Sequence, residues 1–370
     1  MKQCLSDLSF CRTMIFLTFL FFAITSHCYS QEYPAYQADS ILGEFVGHHT
    51  PAVSVMILKN HSVMLSKSYG FSNMEEQRAA TEKTNYHLAS LTGQFTNMAV
   101  LMLMEAGKAS RDSKITDIWQ GLPAYCNPIT IDHLLQHNSG LPSLSTGQLY
   151  WEIKGIGDLK AYLKQYQQLQ FEPGKRSVHN PLNDALLASY VEMVSGKDYR
   201  KFIDKRIFEP LGMEQSRVQQ SGWFTKDISW KATGYIRKNQ DVYQPVSAFP
   251  KDYYEGAIGI FSSLVDMKKW LLAWDTDTLI SQSTLSQVRK IHFVMGQKHF
   301  PGYGWQRGFN QGRKYFFAGG IGQGSSHIIL RIPREKIDVI ILSNQYPLFD
   351  LRKKAFELVN LYSQKQYEVK

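Results

Sequence analysis

The sequence predicts a mixed α/β (α+β) protein with an antiparallel sheet, built from both chain ends and flanked by helices, and an inserted all-α lobe. Two observations near the chain ends predict the sheet. Residues 51–58 and 62–70 are strand-like runs joined by the turn Lys59-Asn60-His61, which is typical of a β-hairpin. Three further strand-like runs lie near the C-terminus, at residues 315–320, 326–332 and 338–344.

The middle of the chain supplies the third observation, because residues 112–216 mostly show the apolar spacing of helices. We therefore expect residues 31–370 to form one unit. Its α/β lobe comprises about residues 31–111 and 217–370, and its helical lobe about residues 112–216. A cleft between two such lobes is where a ligand is expected to bind.

The first 30 residues have the pattern of a secretory signal peptide. Lys2 and Arg12 precede an apolar run at residues 14–25, and a short polar segment ends at Ser30. We expect cleavage there and an exported protein, periplasmic or extracellular, with an uncleaved membrane anchor as the alternative. Cleavage removes three of the four cysteines and leaves Cys126, which we interpret as a small buried side chain.

Composition and spacing argue against several other classes of protein. The net charge of +9 is modest for 370 residues and the basic residues are scattered, so we expect no nucleic-acid partner. His133 and His137 share a helix face, but Leu134 stands where a metalloprotease needs glutamate. The glycine-rich residues 319–324 lead into a strand rather than a helix, which disfavours dinucleotide binding. We therefore predict neither a metal nor a cofactor.

Ser90 stands just before a predicted helix, residues 95–104, that has almost no polar residue. The unpaired N–H groups and positive dipole end of such a helix can stabilise an alkoxide or an acyl oxyanion. Ser90 is therefore a candidate nucleophile. The alternative is that its hydroxyl only caps the helix.

Landmarks along the chain resemble those of the serine β-lactamase and penicillin-binding-protein superfamily, in particular its class C-like β-lactamase-related serine hydrolases. The resemblance covers about Ile41 to Tyr362 and implies a β-lactamase/transpeptidase-like fold. It also implies that Ser90 attacks the carbonyl of a β-lactam, D-alanyl peptide, ester or amide. The landmarks are Tyr86 to Thr92, Ile129 to Pro142, Phe171 to Gly174, Ile207 to Met213, Gly256 to Asp266 and Tyr303 to Trp305.

The family's three catalytic motifs are altered in this sequence. Gly93 stands where the resemblance implies a lysine, one helical turn after Ser90. The Tyr-x-Asn or Ser-x-Asn motif falls at His179-Asn180-Pro181, and the Lys/His-x-Gly strand motif at Ala318-Gly319-Gly320. The resemblance implies backbone N–H donors to an oxyanion from Ser90 and Ile321. It also implies a cleft lined by Gly93, Asn180, Ala318, Gly319 and Gly320.

Loss of the lysine leaves two interpretations open, and we expect acyl-serine hydrolysis to be impaired or lost. In one, His179 occupies the place of the proton-shuttling tyrosine and acts as the base for Ser90, because an imidazole pKa of ~6.5 suits that task. A third group that the sequence does not identify would orient its ring. In the other, the chain is a pseudoenzyme that binds cell-wall fragments or a protein partner. In both we expect a monomer that binds a small acyl, peptide or cell-wall-derived ligand.

Overall fold

The computed structural model describes residues 36–45, 47, 49–143, 155–219, 228–239, 242–246, 255–289, 300–310, 312–322 and 324–363. The predicted signal peptide lies outside the described residues. Within those ranges no helix combines the length and the apolar character that a membrane span requires. Cys126 is a free, buried thiol.

The strands follow the predicted pattern at both chain ends. In chain order they are β1 (Val53–Lys59), β2 (Ser62–Tyr69), β3 (Phe71–Asn73), β4 (Arg78–Ala79), β5 (Tyr86–His87), β6 (Arg217–Val218), β7 (Tyr235–Asn239), β8 (Val242–Pro245), β9 (Ile260–Ser262), β10 (Phe300–Gly302), β11 (Trp305–Asn310), β12 (Arg313–Gly322), β13 (Ser325–Ile332), β14 (Ile337–Ser343) and β15 (Gln345–Tyr346). Seven of them form an antiparallel sheet in the order β10-β11-β12-β13-β14-β1-β2. The hairpin β1–β2 joins the C-terminal strands through β14, which confirms a sheet built from both chain ends.

Strand β1 shows why both faces of this sheet are covered. Met56 and Leu58 belong to one hydrophobic cluster, whereas Val55 and Ile57 belong to a second cluster on the opposite face. Because successive strand side chains point to opposite faces, a strand buried on both sides must be apolar throughout. The C-terminal helix Leu351–Tyr362 packs into the second cluster, and the Gly93–Glu105 helix packs into the first.

Helices dominate the described part of residues 112–216, where the only strand-like feature is an isolated bridge between Lys114 and Thr130. The lobe boundaries themselves stay a prediction. The helices are residues 36–42, Gly93–Glu105, Ile115–Ile118, Ile131–Leu135, Ile156–Leu163, Pro181–Ser195, Tyr199–Ile203, Glu209–Leu211, Glu255–Ile258, Leu264–Ala273, Gln282–Val288 and Leu351–Tyr362; 3-10 turns lie at Gly43–Phe45, Ala89–Thr92 and Ala124–Cys126, and a π-helical turn at Asp204–Phe208.

The apolar run at residues 256–263 also has a strand-like pattern, and the strand it predicts is wrong in its first half. Glu255–Ile258 is a helical turn and only Ile260–Ser262 is a strand. The physical reason is a close approach: a Cβ on Gly256 would lie 2.2 Å from the Cβ of Ala188. The backbone here packs against the Pro181–Ser195 helix, a contact between distant segments that local periodicity does not encode.

Candidate active site

A cleft of about 310 Å³ opens beside Ser90. Its walls come from the Ser90 turn and the helix that follows, from the helical region, and from strands β10 to β12. The lining residues are Ser90, Leu91, Gly93, Gln94, His137, Ser177, His179, Asp184, Gly302, Gly304, Trp305, Gln306, Ala318 and Gly319. The structure thus brings Ser90, Gly93, His179, Ala318 and Gly319 together around one cleft.

Ser90 lies in the 3-10 turn Ala89–Thr92, which leads directly into the Gly93–Glu105 helix. No side-chain capping bond is made at the start of either element, so the hydroxyl of Ser90 does not serve as a cap. The residue before it, Ala89, has φ +49°. A left-handed backbone costs a residue with a Cβ about 1–2 kcal/mol and is found disproportionately at functional sites. The turn therefore holds Ser90, half-buried, at the edge of the cleft.

Strand β12 lies directly against the Ser90 turn at Gly320. A Cβ on Gly320 would lie 2.1 Å from the carbonyl oxygen of Leu88 and 3.1 Å from the backbone nitrogen of Leu91, so only glycine fits. Gly320 therefore contacts the turn rather than lining the cleft. Ile321 follows on the same strand with its side chain 59% exposed. Its role as an oxyanion donor stays a prediction.

The carboxyl group of Asp184 occupies the space above Gly93. A Cβ at position 93 would lie 2.9 Å from Asp184 Oδ1 and 3.2 Å from Oδ2. The Asp184 side chain is 1% exposed, and its Oδ1 accepts one 3.3 Å hydrogen bond from Asn97 Nδ2. Burial raises the pKa of Asp184 well above its usual value, because it disfavours the charged form of the carboxyl group. The Cβ of a lysine at position 93 would overlap this carboxyl group.

Replacing Gly93 with alanine is expected to destabilise the protein by about 1–2 kcal/mol, although Gly93 has helical φ and ψ and alanine normally favours a helix. The cause is the overlap between the new Cβ and Asp184 Oδ1. In an Asp184→Ala background the same change is expected to stabilise the fold by about 0.5–1 kcal/mol. Urea unfolding of the four proteins measures both effects. An equal effect in the two backgrounds would contradict this packing.

His137 is a buried imidazole whose tautomer is fixed by its neighbours. Its Nδ1 accepts the backbone N–H of Asn180 at 3.3 Å, so in the neutral ring the proton resides on Nε2. That Nε2 lies 3.7 Å from Asp184 Oδ2. Burial lowers the pKa of His137 to about 3, with a further contribution from His179. The pair is therefore a neutral imidazole beside a carboxyl group whose charged form is disfavoured by burial.

His179 lies next to His137, with ring centroids 4.9 Å apart. Unlike His137 it is exposed to the cleft, although the surrounding walls lower its pKa below the usual value. Ring nitrogens of both histidines and a carboxylate oxygen of Asp184 lie within 4.8 Å of one another. The sequence pattern predicted neither Asp184 nor His137 as a residue of this site.

Asn180 points away from the cleft that it was expected to line. Its side chain accepts the N–H of Leu182 as the N-cap of the Pro181–Ser195 helix. Its amide nitrogen donates to the carbonyl oxygens of Leu141 and Pro142. Asn180 therefore braces the helix and the neighbouring loop.

Two imidazoles and a carboxylate form a donor set that suits a transition metal. Among the described residues, His137, His179 and Asp184 are the group whose spacing comes close to this arrangement. A metal on Nε2 of His137 would shift the ring proton to Nδ1, where it would face the backbone N–H of Asn180. The arrangement therefore fits proton handling better than metal binding.

A serine at the head of a buried helix, beside a seven-stranded antiparallel sheet and a largely helical region, defines a serine hydrolase-type fold of the penicillin-binding class. Residues 38–364 match the family model described as Beta-lactamase. The chain belongs to this family.

Relatives and solved structures agree with this assignment. The chain is 27% identical to Penicillin-binding protein 4* of Bacillus subtilis (strain 168) over 312 residues, which are 79% of this chain and 68% of that protein. It is 25% identical to Protein flp of Staphylococcus aureus (strain NCTC 8325 / PS 47) over 307 residues, 80% of this chain and 60% of that protein. The chain thus spans about two thirds of the length of these relatives.

The fold is similar to two solved structures. One is the octameric penicillin-binding protein homologue from Pyrococcus abyssi, with a TM-score of 0.76, 24% identity, and coverage of 90% of this chain and 76% of that one. The other is the penicillin binding protein from Bacillus halodurans, with a TM-score of 0.71, 23% identity, and coverage of 87% and 97%. At this level of identity they show the fold alone.

Proposed function

We propose that the chain is an exported serine hydrolase in which an amide, ester or β-lactam-type substrate acylates Ser90. We propose further that His179 replaces the missing lysine as the base and that His137 and Asp184 orient its ring. The observation that supports this most strongly is the convergence of these three groups in the cleft that Ser90 lines, where position 93 leaves space. Export rests on the N-terminal sequence pattern alone.

In the proposed reaction, Ser90 Oγ attacks the substrate carbonyl and its proton passes to a ring nitrogen of His179. The negative charge that develops on the carbonyl oxygen is stabilised by the backbone N–H groups of Ser90 and Ile321. His179 then returns the proton to the departing nitrogen or oxygen as the acyl-enzyme forms. Water, deprotonated by His179, releases the acyl group and restores Ser90.

His137 and Asp184 act on His179 in this scheme rather than on the substrate. His137 is held in one tautomer and lies beside His179, so it restricts rotation of the His179 ring. This is the orienting role of the third group in hydrolytic triads. Among the described residues that line the cleft, none is a permanent cation beside the serine. We therefore expect slower acylation than a lysine-containing site provides.

The alternative is a non-catalytic protein that binds cell-wall fragments or a partner. Two observations favour it. Among the described residues no hydrogen bond joins Ser90 to His179, and the described part of the cleft lining contains no lysine or arginine. Hydrogen bonds of this kind are often loose before substrate binds, so the first observation alone does not exclude catalysis.

Intact-mass measurement after exposure to a fluorophosphonate, a penicillin and a nitrophenyl ester tests the proposal. We expect a covalent adduct that disappears in Ser90→Ala and persists in the control Ser177→Ala, which alters another serine of the same cleft. The same spectra report whether residues 1–30 have been removed on export. Adducts absent from the wild type with all three reagents, or retained in Ser90→Ala, would overturn the hydrolase proposal in favour of the binding alternative.

A further inference from the structure

A second cavity, of about 670 Å³, lies on the other side of Trp305 from the Ser90 cleft. Trp305 lines both cavities. Lys314, Phe316 and Ala318 alternate along β12 and share one face of the sheet, so the two cavities lie side by side on that face. A volume of this size falls within the range of small-molecule sites.

The described lining of this second cavity is strongly positive. Among these residues, six basic side chains stand against two carboxylates, Asp275 and Asp338. The basic residues are Arg289, Arg307, Lys314, Arg331, Arg334 and Lys336.

Both carboxylates are already paired with basic groups. Arg331 Nη2 lies 2.5 Å from Asp275 Oδ2, and its Nε lies 2.8 Å from Asp338 Oδ1. Asp275 also lies 3.5 Å from Arg289 Nη2 and 3.3 Å from His61 Nε2. In the described part of the chain, Lys314, Arg334 and Lys336 have no carboxylate within ion-pair distance. These three cations therefore give the cavity a positive field.

The pKa shifts of three cavity residues have the direction expected for buried cations. Burial lowers the pKa of Arg307 to about 10. Burial also lowers the pKa of Lys314, and the charge of Arg307 lowers it further. The pKa of Arg289 is lowered by burial, although Asp275 raises it in part. A bound anion would reverse these shifts, because an opposite charge favours the protonated form.

The remaining wall is aromatic. Trp274 and Trp305 meet edge to face with centroids 5.5 Å apart. The guanidinium of Arg307 lies 5.8 Å and the ammonium of Lys314 5.4 Å from the ring centroid of Phe316. A ligand here meets flat apolar surface on one side and several guanidinium or ammonium groups on the other.

We propose that this cavity binds a phosphate ester that carries an apolar or aromatic group. Guanidinium forks pair with phosphate oxygens through two parallel hydrogen bonds, and several such groups suit a dianion better than a single carboxylate. The aromatic wall accommodates the esterified group. Through Trp305 the bound ligand adjoins the Ser90 cleft, but its binding does not depend on chemistry at Ser90.

Isothermal titration of the full mature chain with 1-naphthyl phosphate, inorganic phosphate and 1-naphthol tests the site. We expect naphthyl phosphate to bind, inorganic phosphate to bind at least about tenfold more weakly, and naphthol not to bind. Vesicles of phosphatidate and of phosphatidylcholine distinguish a lipid from a soluble phosphate ester as the source of the headgroup. Binding to phosphatidate vesicles alone would identify a lipid phosphate, provided that the variants below abolish it.

Lys314→Glu and Arg334→Glu are each expected to weaken binding by about tenfold or more, because each replaces an exposed cation of the cavity with a repelling charge. Lys201→Glu, at an exposed lysine of the Tyr199–Ile203 helix, makes the same change of charge elsewhere and is expected to leave binding unaltered. Failure of both naphthyl phosphate and phosphatidate to bind would overturn the proposal. So would binding that the two cavity variants leave unchanged.

Discussion

Replacing His179 with alanine is expected to slow acylation of Ser90 by about 10²–10⁴-fold, the usual contribution of a general base. With lysine absent at position 93, His179 is the exposed titratable side chain among the described residues of the cleft. Its exposure means that the substitution removes a base and leaves the buried core intact. His137 and Asp184 are too enclosed to accept the serine proton directly.

The rate of fluorophosphonate labelling, followed by intact mass, measures this effect. His49→Ala is the matched control, because His49 is exposed and outside the cleft lining, and the control is expected to label at the wild-type rate. Because the walls of the cleft lower the pKa of His179, the wild-type rate should fall only at a pH below the ordinary imidazole value. An unchanged labelling rate in His179→Ala would remove this residue as the base.

The fold was predictable because its signals are local. The hairpin β1–β2 and the strands β12 to β14 are apolar or alternating runs closed by turns, and each was placed within about two residues of its observed ends. The continuous apolar character of β1 reflects burial on both faces of the sheet. The helical turn Glu255–Ile258 was missed, because its conformation depends on packing between Gly256 and Ala188.

The site was predictable only in part. Ser90, Gly93 and His179 stand at fixed spacings from recognisable landmarks, so their positions in the cleft follow from the sequence. The position of Asp184 does not follow from the sequence. Its carboxyl group reaches the cleft from the Pro181–Ser195 helix and fills the space that Gly93, 91 residues earlier, leaves open. The available sign of a site residue was that Asp184 is an acidic residue in the mostly apolar stretch Leu182 to Leu187.

His137 was missed for a different reason. Its spacing from His133 drew attention to a shared helix face, but the helix ends at Leu135 and His137 has a left-handed backbone with φ +49°. The side chain therefore departs from the face that helical spacing predicts and enters the cleft. His133 instead bonds to the backbone N–H of Thr130 in a capping box.

The second prediction concerns the stability of the protein at acidic pH. Lowering the pH from 6.5 toward 4.5 is expected to reduce the free energy of unfolding by about 3 kcal/mol per pH unit. Three buried histidines cause this, since burial lowers the pKa of His87 and His137 to about 3 and that of His327 to about 4. Below pH 6.5 the unfolded chain takes up protons that the folded chain excludes, so stability is present at neutral pH and is lost as the pH falls. Asp184 opposes part of this loss, because burial raises its pKa in the folded state.

Each of the three histidines takes up about one proton on unfolding, which contributes about 1.4 kcal/mol per pH unit, and Asp184 offsets part of the total. Urea unfolding at half-unit intervals of pH measures the slope. His327→Asn should reduce it by about half, since the amide oxygen can still accept the N–H of Ser343 that bonds to His327 Nδ1 at 3.2 Å and the side chain no longer titrates. His49→Asn, at an exposed site, should leave the slope unchanged. A free energy of unfolding that does not fall as the pH is lowered over this range would contradict the presence of neutral buried histidines in the folded protein.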